Sequence, residues 1–463
     1  MTALPGLIAT ADLAPSSDAL PLHVLTAGAF AQWSAQQSPA LQAWLKAQHF
    51  SAAAGSHALL PGTDGLAGAV LGIGDAHDPF AYAHAPYALP AGDWHLAEPL
   101  DAAATAALQL GWGLGSYRFT RYRHATRAPA RLVCDVDADT AAQLAACLRA
   151  RDLINTPTEH MGPDEMEAVA RDIAQTYGAD IDVLTGDDLL SHNFPAIHAV
   201  GRASHRAPRL IVLRWGDATH PHVVIVGKGV CFDTGGLDIK TAAGMRNMKK
   251  DMGGAAHAIA LAELIMARKL PVRITLLVPA VENAIGPNAY RPGEVIATRK
   301  GVSVEIDNTD AEGRIVLCDA LTYAAEQSPQ LILDFATLTG AARIALGPDL
   351  PVLFSNDDAL ANDWLAAGTR SFDPLWRMPL HRPYLRYLTS GIADLANASS
   401  TTMAGCITAA LYLESFVPAE LPWAHLDVYS WNDSDRPGRP AGGEAQALRS
   451  CYAMLKARFG ARS

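Results

Sequence analysis

The sequence predicts an α/β protein with a smaller N-terminal α/β domain and a larger C-terminal domain, whose mostly parallel central sheet is covered by helices. Two observations support this prediction. After residue 155, short and continuous apolar runs alternate with helical patterns, which is typical of parallel sheets that are buried on both faces. The chain has 463 residues, of which 50% are hydrophobic and 18% charged, enough for two domains with sizeable cores.

Residues 1–135 are rich in Ala, Gly and Pro, and apolar runs at 22–25 and 69–72 suggest the strands of a small α/β domain. The glycines within residues 111–115 lack the G-x-G-x-x-G spacing of a dinucleotide loop, so they predict a glycine-rich helix or turn. A helical pattern ends before Pro157. We therefore assign residues 136–155 as a linking helix and 156–463 as the C-terminal domain.

The C-terminal domain alternates predicted strands with predicted helices. Buried strands are expected at residues 210–213, 223–226, 272–278 and 331–334. Helices are expected at residues 254–268 and 407–416. A further strand with alternating apolar residues is expected at 302–306, followed by a helical pattern after residue 314.

Composition excludes several classes of protein. The net charge of −11 argues against nucleic acid or an anionic membrane as a partner. The six cysteines are scattered without a C-x-x-C pair, so reduced core thiols are expected rather than a disulfide scaffold or a structural zinc site. The sequence has no leader-like N-terminus and no apolar run long enough for a membrane span. A cytoplasmic protein is therefore expected.

Residues 308–314 (Asn-Thr-Asp-Ala-Glu-Gly-Arg) are the most informative segment. They place Asp310, Glu312 and Arg314 at a turn between a predicted strand and a predicted helix, at the carboxyl edge of a sheet, where open α/β sheets bind ligands. Crowded carboxylates repel one another unless a cation holds them. The alternative is a helix N-terminus with acidic residues in its first turn, and this segment alone does not decide between the two.

Two further polar segments follow predicted strands or precede predicted helices. Residues 228–240 hold two lysines and two aspartates among glycines, and residues 248–254 (Met-Lys-Lys-Asp-Met-Gly-Gly) open a helix. Each has a simple alternative: a turn at Gly235-Gly236, a solvated face at Lys249-Lys250, or a helix cap at Asp251. Together, carboxylates at three separate strand or helix ends favour a binuclear site for Zn²⁺, Mn²⁺ or Mg²⁺ that is suited to hydrolysis.

The H-E-x-x-H, G-x-S-x-G and P-loop motifs are absent. Instead, the three segments resemble, in order and spacing, the three characteristic blocks of the leucyl (cytosol) aminopeptidase family. Residues 334–341 resemble the substrate-contact loop of that family, and Asn155-Thr156-Pro157 the start of its catalytic domain. The resemblance covers about residues 150–445, whereas the N-terminal third shows no motif that can be aligned.

The resemblance implies a role for each matched position. Asp233 and Glu312 would bridge two divalent ions, and Lys240 would hydrogen-bond the developing oxyanion, while Arg314 would hold a bicarbonate that acts as general base. The implied metal ligands are Lys228, Asp233, Asp251, Asp310 and Glu312. The implied substrate-binding residues are Met248, Asn308, Thr337, Leu338 and Gly340.

The resemblance further implies a metal-dependent aminopeptidase that removes N-terminal residues from short peptides, with a broad, Leu-like preference. It also implies Zn²⁺ or Mn²⁺ as the metal and a homohexamer as the assembly. Two alternatives remain at this point: a specialised dipeptidase such as a cysteinyl-glycine hydrolase, and a secondary DNA-binding role. Cys231, Asp238 and Thr241 depart from residues common in the family, which bears on substrate preference more than on activity.

Overall fold

The computed structural model describes residues 4–13 and 18–460. The chain forms two compact units: unit one contains residues 1–148 and 432–441, and unit two contains residues 149–431 and 442–463. Both units combine sheets with helices, so the predicted two-domain α/β class is confirmed. Helix α5, given below, covers most of the expected linking helix, and the domain limits drawn from the sequence stay a prediction.

Unit one is built on a sheet in the order β1-β6-β5-β2-β4-β3, in which only the β3–β4 pair is antiparallel. Its strands are β1 (Leu7–Ile8), β2 (Leu20–Thr26), β3 (His57–Pro61), β4 (Leu66–Ile73), β5 (Asp93–Leu96) and β6 (Arg131–Val133). Its helices are α1 (Ala27–Ala35), α2 (Pro39–Ala47), α3 (Ala85–Ala88) and α4 (Ala102–Ser116). The glycines at 111–115 lie within α4, so the helical interpretation of that segment is confirmed.

Helix α5 (Ala138–Asn155) leads into unit two. The first strands there are β7 (Asp180–Thr185), β8 (Arg209–Trp215), β9 (His222–Gly227), β10 (Gly229–Asp233), β11 (Arg273–Asn283), β12 (Val295–Ala297) and β13 (Ser303–Glu305). The later strands are β14 (Leu331–Ala336), β15 (Val352–Ser355), β16 (Trp376–Arg377), β17 (Leu395–Ala396), β18 (Trp423–Asp427), β19 (Trp431–Asn432) and β20 (Gly442–Gly443).

The helices of unit two are α6 (Pro163–Tyr177), α7 (Asp188–Ser191), α8 (Pro195–Gly201), α9 (Ala242–Met245), α10 (Gly253–Ala267), α11 (Glu312–Glu326), α12 (Gly340–Leu346), α13 (Asp358–Arg370), α14 (Gly405–Glu414) and α15 (Leu448–Phe459). Short 3-10 helices lie at Thr10–Asp12, Pro79–Ala81, Thr158–His160, Met248–Met252 and Arg382–Leu388. Across residues 4–13 and 18–460, no helix has the length and apolar character needed to cross a membrane.

The main sheet of unit two has the order β16-β15-β18-β14-β9-β11-β8-β7, and β10 pairs with β11. At its centre, the strands β18, β14, β9 and β11 run parallel to one another. On one side, β8 pairs antiparallel with β11, and β7 pairs antiparallel with β8. The strand expected at 302–306 is β13, but it lies in a separate sheet with β12 and β17. The segment 308–314 therefore approaches the main sheet from a neighbouring small sheet.

Helices cover both faces of the central strand β9, all of whose residues are buried. Val224 and Val226 belong to the same apolar cluster as Ile315 of α11. The next residue, Gly227, points to the opposite face, where a β-carbon would lie 2.7 Å from Cβ of Ala258 in α10. Because both faces are packed, the exposed edge at the carboxyl ends of the strands is where polar side chains can meet. All six cysteines are free, and five of them are buried as expected for core thiols, whereas Cys134 is half-buried.

Candidate metal centre

The polar segments predicted from the sequence meet at the carboxyl end of the main sheet. Lys228 directly follows β9 and Asp233 ends β10. Asp251 lies in the 3-10 helix that precedes α10, while Glu312 is the first residue of α11. The N-cap residue of α10 is Met252 rather than Asp251, so the interpretation of Asp251 as the cap of that helix is wrong.

The side chains form one cluster of carboxylates and ammonium groups. Ligand atoms of Asp233, Asp310 and Glu312 all lie within 4.8 Å of one another. Lys228 Nζ lies 2.8 Å from Asp251 Oδ2 and 2.9 Å from Glu312 Oε1. Lys240 Nζ lies 2.7 Å from Asp233 Oδ2 and also pairs with Asp310. The structure thus brings together the five residues predicted as metal ligands and Lys240.

The proximity of these groups shifts their pKa values. Burial, followed by the charge of Asp233, raises the pKa of Glu312 well above its usual range and that of Asp310 to about 6. Burial alone would lower the pKa of Lys228, but Asp251 and Glu312 outweigh it, and the net shift is upward. The carboxylates of the cluster therefore repel one another strongly, and a bound cation would reduce this repulsion.

The donor set fits a divalent ion. Glu312 Oε2 is buried and accepts no hydrogen bond from any described residue, which is an unusual state for a carboxylate oxygen in a core. Lys228 is 2% exposed, so its amine is also held away from water. Carboxylate oxygens suit Zn²⁺ or Mn²⁺, and Lys228 adds a nitrogen donor once a bound ion displaces its proton.

Residues that the sequence did not single out hold this cluster in place. Asn283, the last residue of β11, donates from Nδ2 to Asp233 Oδ1 (2.8 Å) and to the carbonyl of Thr309 (3.0 Å). The Tyr290 hydroxyl donates to the same carbonyl at 2.6 Å. Asp238 accepts a hydrogen bond from the Thr309 amide at 2.8 Å, so it supports the turn.

The turn at 308–310 is shaped by amide side chains. Asn308 Oδ1 accepts a hydrogen bond from the Asp310 amide at 2.7 Å, and Asn397 Nδ2 donates to the Asn308 carbonyl at 2.7 Å. Arg314 donates from Nη1 to the Asn397 carbonyl at 2.8 Å. Burial lowers the pKa of the Arg314 guanidinium, and its Nε has no hydrogen-bond partner among the described residues. Its role with bicarbonate stays a prediction.

A cavity of about 440 Å³ opens beside the cluster. It is lined by four of the residues predicted to bind substrate, namely Met248, Thr337, Leu338 and Gly340. Asn308 is absent from this lining, and its contacts are those of the turn. The cavity is also lined by Lys250, which is 7% exposed. The interpretation of Lys249-Lys250 as a solvated face is therefore wrong for Lys250.

The cavity lining also includes Arg343 and Tyr429, which no sequence motif indicated. Lys250 and Arg343 both lie over the ring of Tyr429, and all three residues line the cavity. Burial lowers the pKa of Lys250 to about 8. Asp427, at the end of β18, accepts hydrogen bonds from the Leu338 amide (2.9 Å) and from the Thr339 hydroxyl (2.7 Å). These contacts fix the loop that follows β14.

Comparison with known proteins identifies both parts of the chain. The model of the cytosol aminopeptidase family, catalytic domain, matches residues 148–452, and that of the M17 aminopeptidase, N-terminal domain, matches residues 20–135. The N-terminal third thus has a family match that its motifs did not reveal. A probable cytosol aminopeptidase of Roseiflexus castenholzii is 40% identical over 382 residues, which cover 78% of each chain.

Two solved structures agree with this assignment. The cytosol aminopeptidase of Coxiella burnetii is 46% identical with a TM-score of 0.93, covering 98% of this chain and 99% of that one. The bottromycin maturation enzyme BotP in complex with Mn is 32% identical with a TM-score of 0.86, covering 95% and 99%. These findings do not favour the dipeptidase or DNA-binding alternatives. The chain belongs to the cytosol aminopeptidase family and is a metallo-aminopeptidase that acts on peptides with a divalent metal cofactor.

Proposed function

We propose that this aminopeptidase has a site for two divalent ions, Zn²⁺ or Mn²⁺, in which Asp233 and Glu312 would be shared by both ions and Lys228, Asp251 and Asp310 would complete the ligand set. The observation that carries this proposal is the single cluster formed by these side chains, with ligand oxygens of Asp233, Asp310 and Glu312 within 4.8 Å of one another. Mn in the BotP structure supports a divalent ion in this fold. Bound divalent ions supply Lewis acidity, which polarises the scissile carbonyl and lowers the pKa of water.

The remaining chemistry falls to the side chains around the cluster. Lys240, whose Nζ lies 2.7 Å from Asp233 Oδ2, donates a hydrogen bond to the oxyanion that develops on the scissile carbonyl. Arg314 would hold a bicarbonate, which would supply a general base for the attacking water. Both roles depend on a charged donor that is already in place before the substrate binds.

The cavity accommodates the first side chain of the peptide. Met248 and Leu338 contribute apolar surface, and Thr337 and Gly340 line the same cavity. An apolar pocket discriminates weakly among aliphatic side chains, because one methylene changes binding by only about 1–3 kcal/mol. We therefore propose a broad preference that includes Leu. The family resemblance further supports a homohexamer, which light scattering combined with size-exclusion chromatography tests.

The proposed metal site is tested by Glu312→Gln, with Glu420→Gln as the control. Glu312 is 1% exposed in the cluster, whereas Glu420 is exposed in a loop. Metal content by mass spectrometry and turnover of Leu-p-nitroanilide are measured on the same preparations. We expect Glu312→Gln to lose metal and activity and Glu420→Gln to keep both. Full metal content together with full turnover in Glu312→Gln would falsify the bridging role.

A further inference from the structure

Two cations face the substrate cavity without a carboxylate partner in the described part of the chain. Lys250 is buried, with only 7% of its surface exposed. Its Nζ lies 4.7 Å from the centre of the Tyr429 ring. Arg343, exposed on α12, places Cζ 4.7 Å from the same ring centre. Within residues 4–13 and 18–460, neither side chain forms an ion pair. Contact with an aromatic ring compensates a cation only in part.

The carboxylates nearest to Lys250 are already engaged by other groups. Asp251 accepts a hydrogen bond from the Thr337 hydroxyl at 2.9 Å and pairs with Lys228. Asp427 accepts hydrogen bonds from the amides of Leu338 (2.9 Å) and Thr339 (3.3 Å) and from the Thr339 hydroxyl. Both carboxylates therefore act on Lys250 from a distance, and neither forms an ion pair with Lys250 or Arg343 in the described part of the chain.

Two cations beside one ring repel each other, and a buried charge without a counter-charge is costly. An anion that enters the cavity relieves both effects, and Lys and Arg are the side chains that bind carboxylates most effectively. The same cavity is also lined by the apolar side chains of Met248 and Leu338. The cavity therefore offers an apolar contact and a carboxylate contact to the same molecule.

We propose that Lys250 and Arg343 bind a carboxylate of the peptide substrate, so that the enzyme selects peptides carrying a negative charge near the scissile bond. This inference rests on the proposed aminopeptidase function and specifies its substrate class. The carboxylate has two possible sources: the free C-terminus of a very short peptide, or an acidic side chain at the first position. Both present the same group to the same two cations.

Matched substrate pairs distinguish the two sources. Leu-Gly is compared with Leu-Gly-amide for the C-terminal carboxylate, and Glu-p-nitroanilide with Gln-p-nitroanilide for the side chain. We expect the charged member of one pair to be favoured at least about tenfold in kcat/KM, mainly through a lower KM, because a charge-assisted contact contributes on that scale. The favoured pair identifies the source.

The variants Lys250→Met and Arg343→Gln test the residues. In each, the ratio of kcat/KM within the favoured pair is expected to fall about tenfold, while Arg343→Lys restores most of it. Lys269→Met removes an equivalent charge from an exposed position of unit two outside the cavity, and the ratio is expected to stay at its wild-type value. Because Arg343 is exposed, its variants test the proposal even where Lys250→Met fails to fold.

Equal kcat/KM within both pairs for the wild type overturns the carboxylate proposal, as does a preference that survives in both variants. Hydrolysis of Leu-p-nitroanilide by the metal-loaded wild type reports separately on the aminopeptidase function. If that substrate is cleaved and no charged substrate is preferred, only the carboxylate proposal fails. If no peptide substrate is cleaved, the proposed function itself fails.

Discussion

Gly313 lies directly against Lys228: a β-carbon on Gly313 would be 2.6 Å from both Cε and Nζ of that lysine. Lys228 comes from the end of β9 and must pass this point to reach Glu312, 2.9 Å from its ammonium group. The glycine between Glu312 and Arg314 is thus a packing requirement of the cluster. Its place in the 308–314 segment has a physical reason that is independent of chain flexibility.

Gly313→Ala is expected to displace Lys228 and to weaken metal binding, with a loss of about 1–3 kcal/mol in the free energy of unfolding from overpacking. Metal titration and urea denaturation measure the two effects. Gly391→Ala is the control, because no atom lies within 4 Å of a β-carbon at that exposed position. An alanine at 313 that leaves both quantities at the wild-type value contradicts the packing argument.

Lys240→Ala is expected to lower kcat by about 100- to 1,000-fold, because removal of one oxyanion donor has an effect of that size. Metal content is expected to stay near the wild-type value, since Lys240 is not among the proposed ligands. Steady-state kinetics and metal analysis on one preparation measure both. Lys269→Ala, at an exposed position, serves as the control. An unchanged kcat in Lys240→Ala excludes the oxyanion role.

Asn283→Leu is expected to reduce metal affinity about ten- to hundredfold, which is the usual cost of removing a group that orients a metal ligand. Asn283 donates to Asp233 Oδ1 at 2.8 Å, and leucine keeps a similar size but offers no donor. Competition with a fluorescent chelator measures the affinity. Asn283→Gln, which keeps the amide group, provides the comparison. Equal affinity in the leucine variant and the wild type argues against an orienting role.

His222 makes stability depend on pH. Burial, and then the charge of Arg273, lowers the pKa of His222 from 6.5 to about 4. Its two ring nitrogens contact the Thr275 hydroxyl at 2.9 Å and Arg273 at 2.8 Å. His222 binds a proton at higher pH in the unfolded chain than in the folded chain. The contribution of His222 to stability is therefore fully present above pH 6.5 and is lost as the pH falls towards 4.

His222→Gln removes this titration. The variant is expected to be less stable than the wild type near pH 7.5, where the His222 contacts are intact. The difference between the two proteins is then expected to shrink as the pH falls from 6.5 towards 4. Urea denaturation midpoints at pH 7.5, 6 and 5 measure it. A difference that stays constant across these values rules out His222 as the source.

The site was predictable where its residues lie in short segments with a fixed spacing. Asp310 and Glu312 are two residues apart at a helix start, while Lys228 precedes one short strand and Asp233 ends it. Carboxylates at the ends of neighbouring buried strands predict a cluster from general packing rules. Without the family resemblance, however, nothing in the spacing would have chosen Lys228 as a ligand or rejected Asp238, which instead supports the turn.

Other contributors could not be read from the sequence because their partners are distant along the chain. Asn283 acts on Asp233 from the end of a strand that begins 40 residues later, at Arg273, and such pairing depends on strand order. The burial of Lys250 depends on Tyr429, which lies close only after β18 has joined the sheet. Likewise, local periodicity identified β13 but not its membership of a separate small sheet.

Unit one includes residues 432–441, which follow most of unit two along the chain. Arg439 lies over the ring of Phe80, with Cζ 4.1 Å from its centre, so this late segment packs against the earliest unit. During synthesis, the N-terminal unit therefore remains incomplete until more than nine-tenths of the chain has been made. For the same reason, a single cut after residue 148 does not separate the two units, and a clean excision needs the 432–441 segment replaced as well.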